Sequence, residues 1–138
     1  MSDENPSILS HVSLGTNDLD TASTFYDKAL TSLGIKRIET IEGIAVAYGK
    51  VYPEFWIAIP HDDQAATVGN GVHIGFIANS QAQVHAFYEA CIAAGGRDDG
   101  APGPRPIYGE PYYGCFIIDP DGHKIEASFW DVEMEKNS

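Results

Sequence analysis

The chain has 138 residues, 43% of them hydrophobic, with mean hydropathy −0.17 and a formal net charge of −12. That size predicts a single domain with a real core, and no apolar run approaches the roughly 18 residues of a membrane span. A surface this acidic argues against nucleic acid and anionic membranes, which both require basic patches, and leaves a small molecule as the expected ligand.

The first residues, Met1 to Ser7, are acidic and polar, unlike a secretory leader, and predict a cytoplasmic protein. Residues 8–14 read as a strand with Leu9, His11 and Ser13 on one face and Ile8, Ser10, Val12 and Leu14 on the other. Asn17 or Asp18 offers an N-cap to a helix running to about Leu33. Its buried stripe is Leu19, Ala22, Phe25, Tyr26, Ala29, Leu30 and Leu33, and Gly34 stops it. Three strands follow at Lys36–Thr40, Ile44–Tyr48 and Phe55–Ile59, completing a first unit over residues 8–60. The polar, Gly-rich residues 61–70 form a linker.

The second unit, residues 71–130, opens with a strand at 72–78 and a helix from about Gln81 to Ala94, ended by Gly95-Gly96. Its stripe is Val84, Phe87, Tyr88, Cys91 and Ile92. Gly100 to Pro106 contains three prolines and two glycines and is expected to be a stiff loop outside any ladder. Strands at about Tyr113–Ile118 and Lys124–Phe129 flank the turn Asp119-Pro120-Asp121-Gly122. The tail Glu133–Ser138 is expected to fray. Cys91 and Cys115 sit in apolar patterns and read as buried thiols.

Residues 73–79 loosely repeat residues 11–17 at a constant offset of 62. His11 falls on His73, Asn17 on Asn79, Phe25-Tyr26 on Phe87-Tyr88, and Gly34 on Gly96. The chain is therefore two copies of one unit. If Val12, Leu14, Ile74 and Phe76 lie under the helices, His11 and His73 point the other way, into whatever the sheets enclose. In the last strand Ile125, Ala127 and Phe129 share one face, and Lys124, Glu126 and Ser128 the other. Should the latter be the inner face, Glu126 joins the histidines. A carboxylate buried among imidazoles requires a positive partner, and a divalent metal (Fe, Mn, Ni or Zn) is the simplest. The competing reading is two satisfied core histidines and an edge carboxylate.

Other residues have two readings as well. Tyr108, Tyr112 and Tyr113 flank Gly109-Glu110-Pro111, where phenols can act on a bound oxygen as catalytic donors, or simply pack over a cavity mouth. Of these, Tyr108 and Tyr113 are the catalytic candidates. Trp56 can stack on an aromatic substrate or belong to the core, and Ser13 can hydrogen-bond substrate beside His11. Arg105 can steady an anion at the rim or be a solvated loop residue. His61, His85 and His123 read as surface residues.

His11 with Asn17-Asp18-Leu19 and Phe25-Tyr26, Gly71-Val72-His73-Ile74-Gly75-Phe76, and Asp119-Pro120-Asp121-Gly122-His123-Lys124-Ile125-Glu126 together resemble the vicinal oxygen chelate superfamily. This group holds glyoxalase I, extradiol dioxygenases, fosfomycin-resistance proteins and bleomycin-resistance proteins. The resemblance spans about residues 8 to 130. It implies an α+β fold, two βαβββ units forming curved mixed sheets around an open, barrel-like cavity, with His11, His73 and Glu126 at three metal positions. Glyoxalase I takes a further ligand from the last strand of the first unit; here Phe55-Trp56-Ile57-Ala58-Ile59 has none to give, and Glu54 lies only at its entry. A His/His/Glu set is closer to extradiol dioxygenases and fosfomycin-resistance enzymes, and the short chain favours the smaller relatives. Two functions follow: a metal-dependent lyase, dioxygenase or transferase, or a non-catalytic drug-binding protein. Exposed sheet edges and an open cavity predict a homodimer.

Overall fold

The structure is a computed structural model and describes residues 5–136. The first unit comprises β1 (Val12–Gly15), α1 (Leu19–Thr31), β2 (Lys36–Ile41), β3 (Ala45–Gly49) and β4 (Phe55–Ala58). The second comprises β5 (His73–Ile77), α2 (Gln81–Ala93), β6 (Arg97–Pro104), β7 (Tyr112–Ile118) and β8 (Lys124–Trp130), followed by α3 (Val132–Lys136). The sheets have the same topology, β1-β4-β3-β2 and β5-β8-β7-β6, with the first strand of each unit parallel to the last and every other pairing antiparallel. Both are open, and they do not close into a barrel. No helix of the described residues is long and apolar enough to cross a membrane.

The helices form where capping and periodicity place them. Asp18 accepts the N–H of Thr21 at 3.1 Å to start α1, and Ser80 accepts that of Gln83 at 3.1 Å to start α2. Of the expected stripe of α1, Ala22, Phe25, Tyr26, Ala29, Leu30 and the following Leu33 are buried and Leu19 is partly so; in α2 Val84, Phe87 and Cys91 are buried, Tyr88 partly, and Ile92 is exposed. Both helices pack on the apolar faces of the sheets and on each other in one core. Phe55 of β4 meets Phe76 of β5 edge-to-face, ring centroids 4.9 Å apart, so the core is continuous between units. The faces carrying His11 and His73 consequently turn outward.

Four expectations need correction. β1 starts at Val12 rather than residue 8, because its partner β4 begins only at Phe55 and Val12 N–H already pairs with Glu54 just before it. The stretch expected to be a stiff loop is largely β6. It pairs with β7 through a register broken on both sides of Gly100, and an edge strand with such breaks tolerates proline. The tail is helical over Val132–Lys136; residues 137–138, like Met1 to Glu4 of the N-terminal stretch, lie outside the described residues. His123 is buried rather than on the surface. Its Nε2 donates to Gly15 O at 2.7 Å, tying the β7–β8 turn to the end of β1. In the same turn Asp119 accepts from the Tyr26 hydroxyl at 2.5 Å and from the N–H groups of Asp121 and His123 at 2.9 Å.

Candidate functional site

Alternation along β5 and β8 decides which side chains meet. The parallel register sets His73 against Lys124 and Gly75 against Glu126. Ile74, Phe76, Ile125 and Ala127 face the core, so His73 and Glu126 emerge together on the open face. His73 Nε2 lies 3.0 Å from Glu126 Oε1. The imidazole is half exposed, at 47%, whereas the carboxylate side chain retains 12% of its surface.

The other carboxylate oxygen is also held. Tyr112 donates its hydroxyl to Glu126 Oε2 at 2.6 Å. The phenol reaches it by lying along β7 over Gly114, where a β-carbon would come within 2.2 Å of the Tyr112 oxygen. Burial, and then the bond to Glu126, push the Tyr112 pKa well above that of a free phenol, with nearby Arg105 pulling weakly the other way. Tyr112 therefore stays protonated and remains a donor. Phe116, paired with Glu126 across β7–β8, completes the floor, its ring 6.3 Å from that of His73.

In the first sheet His11 is exposed, with Nδ1 3.0 Å from Ser10 Oγ. It borders two cavities. One, of about 640 Å³, is lined by Leu9, His11, Ser13, Tyr52, Glu54 and Trp56 among others. The other, of about 560 Å³, lies between the units and is lined by His11 and His73 together. Trp56 is paired with Ser13 as Glu126 is with Gly75. An indole thus stands at the position that holds the carboxylate in the second unit, its Nε1 donating to Pro53 O at 3.2 Å.

The predicted residues separate accordingly. His73 and Glu126 come together, and His11 shares a cleft with His73. Among the described residues of one chain, no group of three His, Cys, Asp or Glu is placed to hold a metal. Tyr108 is exposed and meets Tyr112 edge-to-face at 5.1 Å. Ser13 and Trp56 line the first-sheet cavity. Arg105 stands 5.8 Å over the Phe116 ring, on the Glu126 side. Tyr113 faces the other way, and its hydroxyl shares a hydrogen bond of 2.7 Å with Nε2 of His85 on α2. Tyr112 is the tyrosine at the carboxylate. Strand parity contained that signal: Phe116 opposes Glu126 across the turn, and Tyr112, four residues earlier, shares its face.

Residues 8–127 match the sequence profile described as the Glyoxalase/Bleomycin resistance protein/Dioxygenase superfamily. A glyoxalase/bleomycin resistance protein from Albidiferax ferrireducens T118 is 39% identical, with TM-score 0.80 over 89% of this chain and 98% of that one. A lactoylglutathione lyase from Agrobacterium tumefaciens is 20% identical, with TM-score 0.64 over 94% of this chain and 98% of that one. The genomically encoded fosfomycin resistance protein FosX from Listeria monocytogenes is 21% identical, with TM-score 0.63 over 92% and 96%. The last two are likenesses of fold. No curated protein matches the chain at a significant level.

Proposed function

The chain belongs to the glyoxalase/bleomycin resistance protein/dioxygenase superfamily, and from that premise we propose that it is a divalent-metal-dependent enzyme acting on two vicinal oxygens of a small molecule. The observation that carries this reading is the His73–Glu126 pair, with donor atoms 3.0 Å apart. Two donors each about 2.1 Å from one ion, at a right angle to each other, lie about 3 Å apart. An imidazole and a carboxylate at that separation fit neighbouring positions on Fe, Mn, Ni or Zn.

We assign the third ligand to His11 of a second copy of the chain, in a homodimer that sets the first sheet of one subunit against the second sheet of the other. Two observations support this. The histidine-bearing faces are open, and Leu9 and Ile77 lie exposed along the shared cleft, as surface awaiting a cover. A bound ion would supply Lewis-acid stabilisation of charge developing on the two substrate oxygens. The rest falls to the chain's own side chains. Tyr112 fixes the orientation of Glu126, Trp56 offers a flat apolar wall, and Tyr108 places a phenol at the rim as a proton donor. Tyr113, on the helix side, has no place in the reaction unless the fold opens.

Two observations favour a second reading, a non-catalytic binder of cationic aromatic drugs. The first sheet presents Trp56 in place of a carboxylate, and the protein is strongly acidic. Metal content decides between the two. Protein purified anaerobically without added metal, beside His73→Ala, should carry near-stoichiometric metal in the parent and little in the variant. No metal in the parent, even after reconstitution with each ion, sinks the enzyme reading.

A further inference from the structure

We propose that Arg105 is the receptor for an oxyanion of the substrate, a carboxylate or a phosphorus oxyanion, seated against Phe116 beside the His73–Glu126 pair; this rests on the reading of that face as the substrate site. The guanidinium is fixed in place by its own loop. Nη2 donates to Ala101 O at 2.7 Å and Nη1 to Pro104 O at 3.1 Å. Two glycines leave room for it: a β-carbon at Gly100 would lie 3.2 Å from Nη2, and one at Gly103 3.2 Å from Nη1. At both distances a side chain would crowd the fork.

Among the described residues this cation has no carboxylate partner. The chain has 20 acidic residues, yet the ion pairs among the described residues are made by Arg37, His73 and Lys124, none by Arg105. Its two backbone bonds use two of the five guanidinium N–H groups, so three remain for a ligand. A rigid, unpaired fork is suited to two oxygens of one anion and loses little entropy on binding it. Lys124, 4.9 Å from the same Phe116 ring, is paired with Asp99 at 3.1 Å, which leaves Arg105 as the available cation there. Phe116 links this cationic corner to the metal candidates, since it opposes Glu126 and packs 6.3 Å from His73. A small ligand lying over the Phe116 ring would set its anion on Arg105 and turn its other oxygens toward His73.

A purely structural role, bracing the bulged β6, predicts that any donor at 105 will serve. The test separates charge from bracing and needs no metal. Chelator-treated protein is titrated with inorganic phosphate by calorimetry at low ionic strength, as the parent, Arg105→Gln and Arg105→Lys, with melting curves for each. The expected result is saturable binding in the parent, weakened at least tenfold in Arg105→Gln and less in Arg105→Lys. Equal affinity in Arg105→Gln, or no saturable binding in the parent, overturns the proposal. Arginine Nε–H resonances of the parent give a second readout that needs no folded variant: the Arg105 signal should move with phosphate, and its immobility overturns the proposal too. Failure of the parent to carry metal as purified or after reconstitution would refute the enzyme reading and leave these results unaffected.

Discussion

Trp56 holds in the first sheet the register position that Glu126 holds in the second. Trp56 pairs with Ser13, two residues beyond His11, and Glu126 pairs with Gly75, two residues beyond His73. The units repeat in fold and in their histidines, and they part at this position. One half offers a ligand and the other a flat apolar wall.

Trp56 should therefore affect substrate and not metal. Trp56→Ala is expected to leave metal content unchanged while weakening an aromatic ligand by about 1 kcal/mol or more, the usual worth of a stacked ring. Trp56→Glu restores the symmetry and adds an oxygen donor, so divalent-ion affinity should rise. Chelator competition measures the ion, and calorimetry, which reads parent and variants alike, measures the ligand. A Trp56→Ala protein that loses its metal would show that the indole shapes the metal site itself.

Tyr112 is expected to act through Glu126. Removing the hydroxyl in Tyr112→Phe takes away the bond at 2.6 Å and frees the carboxylate to turn. Metal affinity should drop by about 10- to 100-fold, as for other groups that orient a ligand. Gly114→Ala should do the same from two residues along β7, because its methyl would occupy the space of the Tyr112 oxygen. Tyr113→Phe, which breaks only the contact with His85, is the control and should bind metal normally. Equal affinity in Tyr112→Phe and the parent would leave the tyrosine without a positioning role.

These residues also mark what the sequence could disclose. Both helices, the N-cap of the first and seven of the eight strands follow from local periodicity, and the histidine repeat is visible by eye. β6 is hidden because its prolines and glycines carry the signature of a loop, and only its edge position and broken register let them pair. The role of Tyr112 was within reach of parity, but two other tyrosines within four residues disguised it. His123 was not within reach. Its burial comes from a contact with Gly15, distant in the chain, and no local pattern encodes it. The sequence names His11 as a candidate ligand, but under the proposed dimer it does not say which chain supplies it, since that depends on how two chains assemble.

Asp119 should make stability pH-dependent in a direction opposite to most carboxylates. Burial raises its pKa above the usual carboxylate range, outweighing the lowering by Tyr26 and by the backbone of His123. The folded protein then takes up the proton more readily than the unfolded chain. This contribution to stability is absent at neutral pH, grows as pH falls through the raised value, and is complete below the unfolded value of about 3.9. Asp119→Asn does not titrate. The melting temperature of the parent minus that of the variant should increase between pH 7 and pH 4. A difference that shrinks would mean that the hydrogen bonds from Tyr26, Asp121 and His123 hold the anion better than burial disfavours it.

Assembly can be tested by complementation. His11→Ala and Glu126→Ala should each fail to bind metal as pure dimers. If a site takes His11 from one subunit and His73 with Glu126 from the other, a mixed dimer has one intact site and one lacking both groups. Free exchange of equal amounts should then restore metal to about a quarter of all sites, the share expected for random pairing of a two-fold dimer. If the site forms within one chain, every site in the mixture keeps the defect of its own chain and nothing is restored. Manganese titration followed by electron paramagnetic resonance reads the bound fraction directly. Sedimentation on the same samples shows whether they are dimers, and an affinity tag carried by one variant alone captures the mixed dimer, so failure to exchange is told apart from failure to complement. Recovery would place the ligands on opposite subunits and explain why a single chain leaves both histidine faces open.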